Sequence, residues 1–160
     1  MIDAIDQQIL DILQSAARTN NADIARQVGM APSAVLERIR KLEKRQIIRG
    51  YSAQLDPHVA NLPLLAFVFV RTDESLSEMG TAVELSKIPE VLEVHHVAGE
   101  DCYLIKVRAS EPEALGRLLR ERLGHIPTVL STRSTIVLET VKEDTKLPLA
   151  GALTGDDTDD

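Results

Sequence analysis

The chain has 160 residues, enough for one ordinary domain or two small ones, and its 44% apolar content is that of a globular protein. A formal net charge of −7, taken whole, argues against a nucleic-acid binder. No apolar run is long enough to cross a bilayer, and the opening Met1–Asp6 lacks the basic and apolar regions of a signal peptide. A single cysteine, Cys102, excludes an internal disulfide and fits a reducing, cytoplasmic setting. The charge is unevenly placed. Residues 1–50 hold eight Lys/Arg against six Asp/Glu, while the rest hold ten against nineteen. Local field rather than total charge governs phosphate contact, so the acidity lies away from the one basic region.

Ile5, Ile9, Ile12, Leu13 and Ala16 recur at helical spacing, and Asp3 is placed to cap that first helix. Asn20 or Asn21 caps a second, short helix with Ile24, Ala25 and Val28 facing inward and Gly29 ending it. Pro32 suits the first turn of a third helix. There Val35, Ile39 and Leu42 form a narrow apolar stripe. Ser33, Glu37, Arg40, Lys41 and Lys44 lie opposite, with Ala34, Arg38 and Arg45 on one flank. A short β pair carrying Arg49 is expected next. This order predicts a winged helix-turn-helix over residues 1–52 that offers its third helix to the major groove of double-stranded DNA. Ser33, Ala34, Glu37 and Arg38 are placed for base edges, and Arg40, Lys41, Lys44, Arg45 and Arg49 for phosphates. Glu37 fits either a cytosine amino group or a neighbouring arginine.

Leu55-Asp-Pro-His58 and Asn61-Leu-Pro63 break the pattern and mark a hinge over residues 53–63. Two βαβ halves follow in residues 64–149: strand 64–71, helix 75–87 and strand 91–97, then strand 103–108, helix 111–123 and strand 129–138. Both helices open with a capping-box pattern, Ser75-x-x-Glu78 and Ser110-x-x-Glu113, and Gly124 closes the second. The predicted class is therefore α+β, a winged helix-turn-helix followed by a ferredoxin-like βαββαβ sandwich. Strand Leu64–Val70 is apolar on both faces while helices cover only one, which points to a homodimer. Residues 150–160 read as an acidic, disordered tail. His95 and His96 alternate on a strand, which favours packing over metal binding, and no metal or cofactor is expected.

The ordered set Ile5-Asp6…Ile9-Leu10…Leu13, Ile24-Ala25…Val28-Gly29, Ser33-x-Val35…Arg38-Ile39-x-x-Leu42-Glu43…Ile47-Ile48, Pro89-x-Val91, Val97-x-Gly99-Glu-Asp-Cys-Tyr-Leu104 and Thr132-x-x-Thr135 resembles the Lrp/AsnC, or feast/famine, family over residues 5–149. The resemblance implies transcription control by a small metabolite, commonly an amino acid. It also implies dimers that assemble further, as into octamers. Two positions depart from the family pattern. Ala31 stands where a serine often caps the reading helix, and Gln46 where a glycine usually ends it. The resemblance places an effector near the tight connection at Gly99. There Gly99 frees the backbone and Asp101 suits an α-ammonium, with Glu100, Cys102 and Tyr103 beside it. Ser131, Thr132, Ser134 and Thr135 supply hydroxyls.

Other functions compete with this reading. Cys102 near His95, His96 and Asp101 suggests a thiol enzyme, but a lone cysteine without a defined base is ordinarily a small core residue. Sirohaem-decarboxylating relatives of the same layout need basic and histidine residues around an anionic tetrapyrrole, and this acidic domain has few. RNA recognition by a ferredoxin-like sheet needs exposed aromatics, and the whole chain has two Tyr and two Phe. An effector-independent, nucleoid-type DNA organiser is the remaining alternative.

Overall fold

Asp3 begins the first helix by accepting the Asp6 N–H at 2.7 Å, while the Asp6 carboxylate reaches back to the Asp3 N–H at 3.4 Å, a closed capping box. This geometry belongs to a computed structural model of the chain, which describes residues 2–75 and 78–150. The helix, α1, spans Ala4–Ser15. Asn20 caps α2, Asn21–Val28, through the Asp23 N–H, and Gly29 ends it in the left-handed region at φ +69°. Pro32 opens α3, Pro32–Lys44. Ile9, Leu13, Ile24, Ala25, Val28, Val35 and Ile39 bury together as the core of these three helices.

The ends of α3 are its weak points. Ala31 gives no side-chain cap, and the chain leaves the helix through Gln46 at φ +56°, a conformation that suits glycine. After that turn the expected wing is not found. Among the described residues none between Arg45 and Pro63 lies in a strand, and the segment after Gly50 runs without a pairing partner. Among the described residues the unit is a helix-turn-helix without a β pair of its own.

The second unit is a four-stranded antiparallel sheet with its helices on one face, in the strand order β2-β3-β1-β4. Its elements are β1, Leu64–Thr72; α4, Gly80–Ser86; β2, Val91–His96; β3, Tyr103–Ala109; α5, Pro112–Glu121; and β4, Val129–Ile136. A single 3-10 turn, Leu123–His125, follows α5 and contains Gly124. Ala66, Val68 and Val70 of β1 are fully buried with Ile105 and Val107 of β3, under Leu85, Leu115 and Leu118 of the helices. The alternate residues of β1, Phe67 and Phe69, lie half-buried on the open face.

Several boundaries differ from the sequence reading. The helix expected from Ser75 starts at Gly80; residues 76–77 of that stretch lie outside the described residues, as do residues 151–160 of the acidic tail. Glu74 accepts the Thr81 N–H at 3.0 Å and so caps α4 from outside the expected Ser75–Glu78 pair. Pro112 takes the first position of α5, leaving Glu111 rather than Ser110 at the N-cap. Of the hinge expected over residues 53–63, residues 54–63 belong to the sheet unit, and residues 142–150 belong to the helical unit. The reason for the latter is local: Gln14 on α1 accepts the Leu147 N–H at 2.7 Å and donates to its carbonyl at 3.1 Å, and Lys146 Nζ reaches Ser15 Oγ at 2.8 Å.

The two defects of α3 make a stability prediction. Ala31→Ser supplies the missing cap and is expected to add about 1 kcal/mol. Gln46→Gly relieves the left-handed strain and adds roughly 0.5 kcal/mol after its backbone-entropy cost. Both are read from urea denaturation midpoints followed by circular dichroism; a lower midpoint in either variant contradicts this reading of the helix ends.

Candidate nucleic-acid interface and ligand site

Burying Val35, Ile39 and Leu42 turns the opposite side of α3 outward. Ser33, Glu37, Arg40, Lys41 and Lys44 are exposed there, with Arg45 exposed at the C-cap, Arg49 exposed beyond it and Ala34 half-buried on the flank. The outward face is thus basic, apart from Glu37. Glu37 takes the arginine-pairing alternative, bonding Arg40 Nη1 at 3.1 Å. Both side chains are 62% exposed, so the pair is worth little and opens readily.

Arg38 is placed differently. Its Nη1 donates to Asp3 Oδ2 at 2.6 Å and Asp6 Oδ1 at 2.7 Å, both at the start of α1. Expected as a base reader, it already has two anionic partners within the unit. The Asp6 N–H and then the Arg38 guanidinium hold the Asp3 carboxyl below its usual range. The same carboxylates, Asp3 first, push the Arg38 pKa up.

The residues expected to hold an effector do not converge in one chain. Residues 97–102 join β2 to β3, closed by Val97 N–H to the Cys102 carbonyl at 2.9 Å. Gly99 has φ +127° with open space around it, so backbone conformation rather than crowding calls for glycine. Glu100 is exposed. Asp101 accepts from Arg133 Nη2 at 2.8 Å, and the Arg133 guanidinium lies 4.1 Å from the centre of the Phe69 ring. Tyr103 instead points into the helix-side core, 2% exposed, with its hydroxyl donating to Glu74 at 3.2 Å. Cys102 is half-buried, its thiol 3.8 Å from the Thr72 carbonyl.

Register divides the four hydroxyls of β4 in the same way. Thr132 and Ser134 lie opposite Val70 and Val68, on the helix side, whereas Ser131 and Thr135 lie opposite Arg71 and Phe67, on the open face. All four are exposed because β4 is an edge strand. The open face therefore gathers Asp101, Arg133, Phe69, Ser131 and Thr135. Arg133 and Phe69 were missed in the sequence, although the alternation of Ser131, Arg133 and Thr135 places Arg133 on that face. His95 and His96 point to opposite faces: His95 bonds Glu93 at 3.1 Å and His96 lies beside the Tyr103 ring. Among the described residues no group of three His, Cys, Asp or Glu is arranged to hold a metal ion.

Asp3 makes the capping box sensitive to pH. A depressed carboxyl contributes stability in full above the unfolded value and loses it as pH falls through the folded one. Asp3→Asn is therefore expected to lower the melting temperature at neutral pH, and its gap to the wild type to close below about pH 4. Melts followed by circular dichroism between about pH 7 and pH 2 test this; a gap independent of pH contradicts it.

Comparison with known proteins agrees with these two units. Residues 2–43 match the AsnC-type helix-turn-helix domain, and residues 65–147 match the Lrp/AsnC ligand binding domain. The leucine-responsive regulatory protein of Escherichia coli K12 is 37% identical over 150 residues, covering 91% of this chain and 90% of its own length. Among solved structures, the transcriptional regulator NMB0573 of Neisseria meningitidis, in complex with L-Met, superposes with a TM-score of 0.89 at 32% identity, over 96% of this chain and 100% of that one. The feast or famine regulatory protein Rv3291c of M. tuberculosis, complexed with L-methionine, gives 0.85 at 33% identity, over 92% and 99%. With regulators as its relatives, the thiol-enzyme and tetrapyrrole readings give way. The chain belongs to the Lrp/AsnC family of DNA-binding transcriptional regulators.

Proposed function

We propose that this regulator acts in the cytoplasm as a homodimer that reads double-stranded DNA with the exposed face of α3 and responds to an amino acid bound on the open face of the sheet. The observation that carries the DNA reading is the outward row Ser33, Glu37, Arg40, Lys41 and Lys44, opposite the buried stripe of the same helix. Ser33, Ala34 and Glu37, in the N-terminal turns, suit base edges, and Arg40, Lys41, Lys44, Arg45 and Arg49 suit phosphates.

The dimer is supported by the open sheet face, where the half-buried Phe67, Phe69 and Leu104 form an apolar surface that no helix among the described residues covers. Octameric assembly is proposed on the family resemblance. An amino-acid effector is supported by the two relatives solved with L-methionine. Asp101 suits the α-ammonium, in competition with Arg133, and Arg133 then suits the α-carboxylate. Ser131 and Thr135 flank the pair. The effector controls DNA only through a difference in its affinity for two arrangements of the assembly.

Two measurements test this. Lys41→Gln and Lys44→Gln are each expected to weaken binding to all duplexes alike and to reduce the salt slope of log Kobs by about 1. Unchanged slopes in fluorescence anisotropy would remove these lysines from the phosphate interface. In a thermal-shift screen against the twenty amino acids, at least one is expected to raise the melting temperature of the wild type but not of Asp101→Asn. A shift retained in Asp101→Asn would place the site elsewhere. No shift with any amino acid would favour an effector-independent DNA organiser.

A further inference from the structure

We propose that Arg38 is a positioning residue, which sets the rotation of α3 against α1 and so selects the residues that meet the DNA, rather than a residue that itself reads a base. This rests on the DNA-reading role given to α3. The first support is the closed geometry around Arg38. Asp3 uses Oδ1 to cap α1 and Oδ2 to hold Arg38; Asp6 uses Oδ2 toward the Asp3 N–H and Oδ1 to hold Arg38. All four carboxylate oxygens are therefore engaged, and the guanidinium joins the cap of one helix to the flank of another.

The second support is burial. Asp6 is 9% exposed as a residue, and the Arg38 side chain is 30% exposed against 62% for Arg40 on the same helix. Swinging Arg38 toward a base would leave a nearly buried Asp6 carboxylate without its cation, a far more costly state than losing a surface pair. Breaking the exposed Glu37–Arg40 pair costs little by comparison, so Arg40 is the residue free to move toward DNA.

The third is electrostatic. Asp3 and Asp6 flank the reading helix, and without Arg38 they would present two uncompensated negative charges close to the phosphates. Arg38 supports DNA binding by occupying these carboxylates, and the cost of removing it is indirect. Asp6, which touches no DNA in this scheme, matters through the bridge that holds Arg38 and not through its own charge, so losing either side of the bridge frees the rotation of α3.

The experiment compares specific and non-specific duplex affinity, and their salt dependence, for the wild type, Arg38→Met, Arg38→Lys, Asp6→Asn and the Arg38→Met/Asp6→Asn double variant, with Lys44→Gln as control. Folding is checked by circular dichroism, and Arg38→Lys replaces Arg38→Met throughout should the latter not fold. Arg38→Met and Asp6→Asn are each expected to weaken specific binding about tenfold, with less effect on non-specific binding. The preferred sequence and the salt slope should stay unchanged, and the double variant should lose no more than the worse single one. A salt slope reduced by about 1, or preference relaxed at one base pair in Arg38→Met while Asp6→Asn binds normally, would make Arg38 a direct contact and overturn the proposal. A lower melting temperature with an unchanged specificity ratio would also overturn it, leaving Arg38 a stability element only. Failure of the DNA reading itself looks different: the wild type would then show no salt-dependent duplex binding, and Lys44→Gln would change nothing.

Discussion

Burial of Val35 and Ile39 against the first two helices, with Leu42 buried on the same stripe, is the constraint on which the DNA-facing surface depends. Fully burying an aliphatic side chain is worth about 1.5–3 kcal/mol, and these three are 0%, 8% and 1% exposed. A rotation of α3 by one residue would replace that stripe with Leu36, Arg40 and Glu43, putting two charged groups into a core with no partners for them. The basic face is therefore outward because of what the other face must do. Stripe burial fixes the rotation coarsely, and the Arg38 bridge to Asp3 and Asp6 pins it from one flank.

A comparable division of labour runs through the sheet. Alternation along β1 sends Ala66, Val68 and Val70 to the helices and Phe67 and Phe69 to the open face. The connection at Gly99 ends on that open face, where Asp101 meets Arg133 and Arg133 covers the Phe69 ring. The charged pair and the apolar surface are thus neighbours. A ligand that separates Asp101 from Arg133 acts directly beside the surface proposed to bind a second copy. The chain also passes between its two units twice, near residue 53 and near residue 141.

How much of this was legible in the sequence depended on how local the signal was. Asp3, Asn20, Gly29 and Pro32 mark their helix ends through contacts within a few residues, and the structure places them there. The four strands agree with the sequence reading to within two residues at their ends. What was misread depends on distant partners. Nothing near Arg38 announces carboxylates 32 and 35 residues away, and nothing near Leu147 announces Gln14. Glu78 does reach back to the Ser75 N–H at 3.2 Å, but the helix opens only at Gly80, where the Glu74 carboxylate takes the Thr81 N–H from seven residues away. The expected wing has no strand beside it among the described residues of its unit. The effector set was read as a single cluster because two short segments carry it. The period of a strand then sends half of each segment to the other face.

The central claim is that ligand binding in the sheet unit and DNA binding by α3 are energetically linked. The most direct test is the affinity for a selected duplex at fixed salt, measured with and without saturating L-methionine and then each other amino acid. The expected result is that at least one amino acid changes the dissociation constant, and that the duplex changes the affinity for that amino acid by the same factor, as linkage requires. A duplex affinity identical under every amino acid, with DNA binding otherwise intact, would contradict the claim and leave a DNA-binding protein without amino-acid control.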